Sequence, residues 1–284
     1  MRDAVILTCA LSGVFANKQQ CPAIPYTPEE YAAESRRAWD AGAVQMHIHA
    51  RYPDGTPSFR TEEYQAIADA IRAEVPEMII NFSTGAHGIS VADRVKYLAA
   101  CRPHVAALNM GSMNYAKYSQ KRKDFVFDIV FNNPFTEIRE FLAGMKEHDI
   151  VPEMECFDVG HVSSAEPLID MGAITRKPRF SLIMGVVGGV KADTRSLIAM
   201  VDAVPDGSSW SVIGISRKQW LLGAAALTLG GDFRVGLEDN FYLPDGTMAS
   251  SNGALVEVAA RMARDVGRRP ATAAEAKEIL GITR

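Results

Sequence analysis

Short runs in which apolar and polar side chains alternate recur along the chain. Each is followed by a longer stretch whose apolar positions fall three or four apart. The first pattern suits a strand, whose side chains point to opposite faces with a period of two, and the second suits an amphipathic helix. The strand candidates are AVILTCAL (4–11), AVQMHIHA (43–50), MIINFSTG (78–85), VAALNMGS (105–112), VPEMECFD (151–158), RFSLIMGV (179–186), SSWSVIGIS (208–216) and DFRVGLED (232–239). Helical patterns lie between them, among them TPEEYAAESRRAWDAG, TEEYQAIADAIRAEV, SVADRVKYLAAC, NPFTEIREFLAGMKEH, ADTRSLIAMVDAV and SNGALVEVAARMARDVG. In the first of these, Thr27 is placed to cap and Pro28 takes the first helical position.

Strands separated by helices pair in parallel, and eight such units close an α/β fold of the (β/α)8 TIM-barrel type. The alternative is a doubly wound open sheet, which calls for a glycine-rich phosphate turn after the first strand. That place holds LSGVFANKQQCPAIPY, with no GxGxxG, so the barrel is the better reading. It makes residues 1–284 one barrel domain, with ATAAEAKEILGITR forming a short C-terminal helical extension over about 270–284. The segment KYSQKRKDFVFDIV after the fourth strand is longer than an ordinary strand-to-helix link.

Composition narrows the function classes. The chain is 48% hydrophobic and 23% charged, the profile of a globular protein with ample core. Its net charge is −4 and its lysines and arginines are scattered, which leaves no footprint for nucleic acid or an anionic membrane surface. No apolar run approaches the roughly 20 residues that span a bilayer. The start MRDAVILTCALSG reads as a first strand and not a signal sequence, because its apolar run is brief and Asp3 interrupts it. A cytoplasmic protein whose partners are small molecules or copies of itself is expected. Cys9, Cys21, Cys101 and Cys156 form no CxxC pair and are expected to be buried free thiols.

The chemistry begins with AVQMHIHA, which places two of the chain's six histidines in alternation inside an apolar run. Val44, Met46 and Ile48 share one face of this strand, so His47 and His49 share the other with Gln45 and point into the barrel. The same parity turns Asn81 and Ser83 inward from the third strand and Glu153 and Glu155 from the fifth. On the eighth it turns Arg234, Gly236 and Glu238 inward and leaves Asp239 at the rim. These residues cluster toward strand C-termini, the face on which barrel enzymes carry their chemistry.

Two imidazoles and a carboxylate are the ligand set of a catalytic zinc, and the same set can hold iron, manganese or cobalt. The first and last strands of a closed barrel adjoin, so Glu238 is within reach of His47 and His49. An isolated HxH on a strand is more often structural. Here the metal is favoured because burying two histidines, an arginine and two acids without an ion costs several kcal/mol per unpaired charge. For Arg234 and Asp239 a structural ion pair competes with a functional role. Gly236 is expected to leave open volume beside Arg234, whose guanidinium could hold a substrate carboxylate in a bidentate grip. Asp239 would then remove an α-proton and the metal would stabilise the enolate. His87 and His161 are placed at the rim, and His104 and His148 in solvent.

The stretches VILTCALSG, PYTPEEYA, HIHAR followed by DGTPS, NFSTG, LNMGSMN, RVGLEDNFYLPDG and the tail from SNGALVEVAARM resemble the β-keto acid cleavage enzymes over nearly the whole chain. The resemblance implies a zinc-bearing barrel, usually a homotetramer, that takes a β-keto acid and acetyl-CoA and returns acetoacetate plus a new acyl-CoA. It implies His47, His49 and Glu238 as Zn2+ ligands, Asp239 as the base, and Arg234 and Ser83 as its electrostatic partners. The chain departs from the family pattern at Tyr52, where many relatives carry an acid. It departs again in GVFANKQQ, which lacks an acid to grip a substrate amino group. Phe15 and Lys18 point instead to an apolar or anionic tail, and Asn109 and Glu155 are further substrate-binding candidates. An amidohydrolase-like hydrolase is the competing enzyme, although such enzymes carry the HxH on the first strand. A metal-storing barrel ranks last, because a closed structural zinc site takes four protein ligands.

Overall fold

The computed structural model describes residues 2–86 and 88–284; His87, expected at the rim, lies outside the described residues. Eight parallel strands close a barrel. In chain order they are β1 (Leu7–Ala10), β2 (Gln45–Ile48), β3 (Ile79–Phe82), β4 (Val105–Asn109), β5 (Val151–Cys156), β6 (Arg179–Met184), β7 (Ser209–Gly214) and β8 (Asp232–Val235), with β8 hydrogen-bonded to β1. Helices follow the strands, making this a (β/α)8 TIM barrel. The first helix, α1 (Pro28–Ala41), begins as expected. Thr27 and Glu30 form a reciprocal capping box, Pro28 opens the helix, and Gly42 closes it in the left-handed region at φ 115°.

Parity sorts the strands as the pattern requires. Leu7, Cys9, Met46, Ile48, Ile80, Phe82, Met154 and Cys156 are buried in the outer core between sheet and helices. The lumen is polar, holding Gln45, Asn81, Glu153, Ser181 and Ser211, all buried. Toward the strand N-termini Arg179 pairs with Asp232, whose carboxylate also accepts from the Ile6 amide at 2.8 Å. Below this lies a small apolar layer of Ile6, Ile79, Val105 and Val151, capped by the C-terminal helix Ala273–Leu280 through Ala276 and Leu280. The terminal extension therefore covers the bottom of the barrel, at the end opposite the C-terminal mouth. All four cysteines are buried and free.

Two elements differ from the sequence expectation. Residues Met113–Ser119 and Asp124–Phe131 pair antiparallel as a hairpin, so the long link after β4 is an added two-stranded sheet. β8 stops at Val235 instead of running on to Asp239, because Gly236 turns the chain at φ 142°. Nor does Gly236 leave open volume: a β-carbon there would lie 2.1 Å from the Ala10 carbonyl oxygen. That close approach of β8 to β1 admits only glycine.

Candidate active site

β2 holds His47 between Ala10 of β1 and Asn81 of β3, and His49 follows just beyond the strand. Both are buried, with ring centroids 5.3 Å apart at 68°. The turn at Gly236 brings Glu238 to them, its amide donating to the Ala10 carbonyl at 3.1 Å. Glu238 Oε1 lies 3.3 Å from His49 Nε2 and 3.7 Å from His47 Nε2. One ligand atom from each of the three residues falls within 4.8 Å of the others. Glu238 Oε2 and His47 Nδ1 are buried and have no hydrogen-bond partner among the described residues. A buried carboxylate oxygen left unpaired is costly, and a cation seated among these three side chains would satisfy it. The residues fit a metal ion.

Arg234 ties the remaining acids together. Its Nε and Nη2 meet Asp239 Oδ2 and Oδ1 at 2.9 and 3.0 Å, Nη2 reaches Glu238 Oε1 at 2.8 Å, and Nη1 reaches Glu155 Oε1 at 3.4 Å. Burial and the neighbouring charges split these carboxyls. Burial pushes Glu238 up, but Arg234 and both imidazoles outweigh it and hold the group well below the usual range. Burial moves Asp239 up to about 6 against the pull of Arg234. Glu155 rises to about 8, chiefly through burial, so it is protonated near neutral pH. Burial and then Arg234 lower His47 well below its ordinary value, which keeps a lone pair available for an ion. With Glu155 neutral, Glu238 and Asp239 against Arg234 leave one net negative charge. A divalent cation reverses that to one net positive, which one substrate carboxylate would neutralise.

The other expected residues are distributed unevenly. Ser83 and Asn109 are buried at the ends of β3 and β4 and flank Gly85, whose hypothetical β-carbon would stand 3.6 Å from Ser83 Oγ and 3.7 Å from Asn109 Nδ2. Tyr97 fixes Ser83 by donating to its carbonyl at 2.8 Å. Phe15 stands at the mouth. Lys18 is held elsewhere, with its ammonium paired to Glu30 and 4.7 Å from the Tyr26 ring centroid. His161 lies at the rim, half-buried, accepting from the Phe157 amide at 3.3 Å. His104 is half-buried and only partly solvated: its Nδ1 accepts from the Ile80 amide at 3.1 Å.

Several positioning residues escaped the sequence reading. Arg51 donates to the carbonyls of Gly13, Ser12 and Ala16 at 2.9, 3.0 and 2.8 Å, clamping the loop after β1. Tyr31 donates to the His49 carbonyl at 2.6 Å. Asn252 accepts from the Leu237 amide at 3.0 Å and donates to the Leu11 carbonyl at 3.2 Å, bracing the turn that carries Glu238. Arg51 sits in HIHAR and Asn252 in SNGALVEV, but neither stretch reveals that its side chain spans loops distant in sequence.

A family model described as beta-keto acid cleavage enzyme matches residues 4–282. A 3-keto-5-aminohexanoate cleavage enzyme of Acetoanaerobium sticklandii is 37% identical over 283 residues, covering 99% of this chain and 100% of its own. A 3-oxoadipate:acetyl-CoA acetyltransferase of Cupriavidus necator is 32% identical, covering 99% of this chain and 96% of its own. Among solved structures, the binary complex of ObcA with oxaloacetate superposes with a TM-score of 0.76 at 22% identity. It covers 92% of this chain and 68% of its own, a likeness of fold.

Proposed function

Because the chain belongs to the beta-keto acid cleavage enzyme family, we propose that it condenses a β-keto acid with acetyl-CoA and returns acetoacetate and a new acyl-CoA. The observation that supports this reading most is a His47–His49–Glu238 cluster able to hold a metal, set against the Arg234–Asp239 pair toward the C-terminal ends of the barrel strands. His47, His49 and Glu238 would hold zinc. Zinc would supply Lewis acidity toward the substrate's oxygens and toward negative charge that develops on them.

The chain's own residues account for the proton and carbon steps. Asp239 accepts a proton from C2 of the keto acid, and Arg234, which grips the Asp239 carboxylate, keeps that base in place. The C2 carbanion bonds to the acetyl carbonyl carbon and the carbon–sulfur bond breaks, releasing CoA thiolate. The thiolate then adds to the original ketone carbon. The bond from that carbon to C2 breaks, its electron pair stays on C2, and Asp239 returns the proton. The products are acetoacetate and the thioester of the keto acid's tail. Ser83 and Asn109 line the same end of the lumen as hydrogen-bonding groups for the substrate, and protonated Glu155 can donate beside Arg234. The family resemblance also carries the expectation of a cytoplasmic homotetramer, and sedimentation of the purified protein tests the oligomeric state.

The reaction is tested with acetyl-CoA labelled with 13C at the acetyl carbonyl and a panel of β-keto acids. Label at C3 of acetoacetate and an unlabelled new acyl-CoA are expected. Release of acetate without acetoacetate would replace the transfer with simple hydrolysis.

A further inference from the structure

The hairpin after β4 is not needed to close the barrel, yet it is firmly attached. Ala116 bridges to Val187 in the loop after β6, and Gly188 there has φ 102°, where a β-carbon would lie 1.8 Å from the Asn114 carbonyl oxygen. Asn133 seals the base, its amide donating to Ser112 Oγ at 2.7 Å. What the hairpin presents is aromatic. Tyr115 and Phe127 lie nearly parallel with centroids 5.9 Å apart, and both stack on Phe15 from the loop after β1, at 5.9 and 4.9 Å. Phe131 and the buried Phe157 meet Tyr115 edge-on at 5.8 and 6.0 Å.

This aromatic group is continuous with the catalytic cluster. Phe131 reaches Gly85, where its Cζ, Ser83 Oγ and Asn109 Nδ2 all surround the position of a missing β-carbon, at 3.7, 3.6 and 3.7 Å. Gly13, two residues before Phe15, packs so closely that a β-carbon would stand 2.7 Å from Glu238 Cγ. Arg51 pins that loop through the carbonyls on either side. Tyr115 stands near enough to Glu238 and Asp239 that their negative charge adds to burial in raising its hydroxyl pKa.

Phe15 is 59% exposed, so folding alone gives little reason for a phenyl ring there. The four rings carry no charge, and Lys18 is committed to Glu30; Lys117, which pairs with Phe127 in the hairpin register and so shares its face, lies exposed on the side nearer the hairpin tip.

Resting on the function proposed above, we infer that Phe15, Tyr115, Phe127 and Phe131 form a specificity wall for a β-keto acid whose tail is uncharged and apolar, alkyl or aryl. A charged tail seated among the rings would lose its hydration, and the rings themselves offer it no opposite charge. An apolar tail loses nothing by leaving water and gains ring contacts.

The test uses the full chain, acetyl-CoA and four β-keto acids of similar length: one alkyl-ended, one phenyl-ended, 3-keto-5-aminohexanoate and 3-oxoadipate. The two apolar acids should exceed the two charged ones in kcat/KM by about tenfold or more. Phe15→Glu should lower the apolar values by about tenfold and raise that of the amino acid. Equal or higher values for either charged acid on the natural chain would overturn the wall while leaving the transfer reaction standing. Turnover of none of the four would remove the reaction, and calorimetry with unreactive 3-hydroxy acids then judges the wall alone. Tighter binding of the alkyl ligand by the natural chain than by Phe15→Glu or Phe127→Ala upholds the wall; equal binding ends it.

Discussion

Arg234 holds Asp239 by two parallel contacts of 2.9 and 3.0 Å, and the same guanidinium touches Glu238, the carboxylate that faces His47 and His49. One cation thus orients both the proposed base, Asp239, and the proposed metal ligand, Glu238. Asp239→Asn keeps the shape but removes the basic oxygen. Turnover should fall by on the order of 10³-fold, while bound metal, read by elemental analysis, should match that of the natural chain. Loss of metal with activity would move Asp239 from base to ligand.

His47→Ala removes a buried imidazole whose Nδ1 has no hydrogen-bond partner among the described residues. Metal content and activity should fall together, and excess zinc should restore part of both. A variant that stays fully active with no metal would dismiss the triad as the ion's seat.

Gly236 carries a second kind of constraint. At φ 142°, and with a β-carbon due 2.1 Å from the Ala10 oxygen, Gly236→Ala must displace β8 from β1. Denaturant titration should show a loss of about 3 kcal/mol or more, with metal affinity reduced because Glu238 follows the turn. Gly207→Ala is the control. Its φ is 77° but nothing lies within 4 Å, so only about 1–2 kcal/mol should be lost and metal binding kept.

His104 gives the fold a pH dependence remote from the site. Burial, with help from Arg284, Lys277 and Arg72, lowers its pKa to about 4, and its Nδ1 must stay unprotonated to accept from Ile80. The unfolded chain binds the proton near pH 6.5, so between about 6.5 and 4 the unfolded state holds more protons and stability falls as pH drops. The loss should total on the order of 2 kcal/mol once partial exposure is allowed for. His104→Asn, which keeps an acceptor but does not titrate, should flatten the thermal-midpoint profile over that window. An unchanged slope would place the acid sensitivity elsewhere.

Much of the barrel and the His47–His49–Glu238 cluster is legible in the residue order because strand parity is geometric: once Met46 and Ile48 must face the helices, His47 has no other direction. Glu238 illustrates the limit. Alternation selects it, yet β8 ends at Val235, and a glycine turn braced by Asn252 is what delivers the carboxylate. KDFVFDIV shows strand alternation, but nothing local says that it folds back on Met113–Ser119 over the mouth. Lys18 is illegible for a related reason: its partner Glu30 lies on α1, and a flexible ammonium takes whichever acid the fold brings near.

The proposed carbon–carbon cleavage needs a divalent ion among His47, His49 and Glu238. Elemental analysis of protein purified without chelator, run alongside acetoacetate production before and after metal removal, decides the matter. Close to one divalent ion per chain is expected, zinc foremost, with activity lost on removal and regained on replacement. Metal-free protein that makes acetoacetate at the full rate would contradict it.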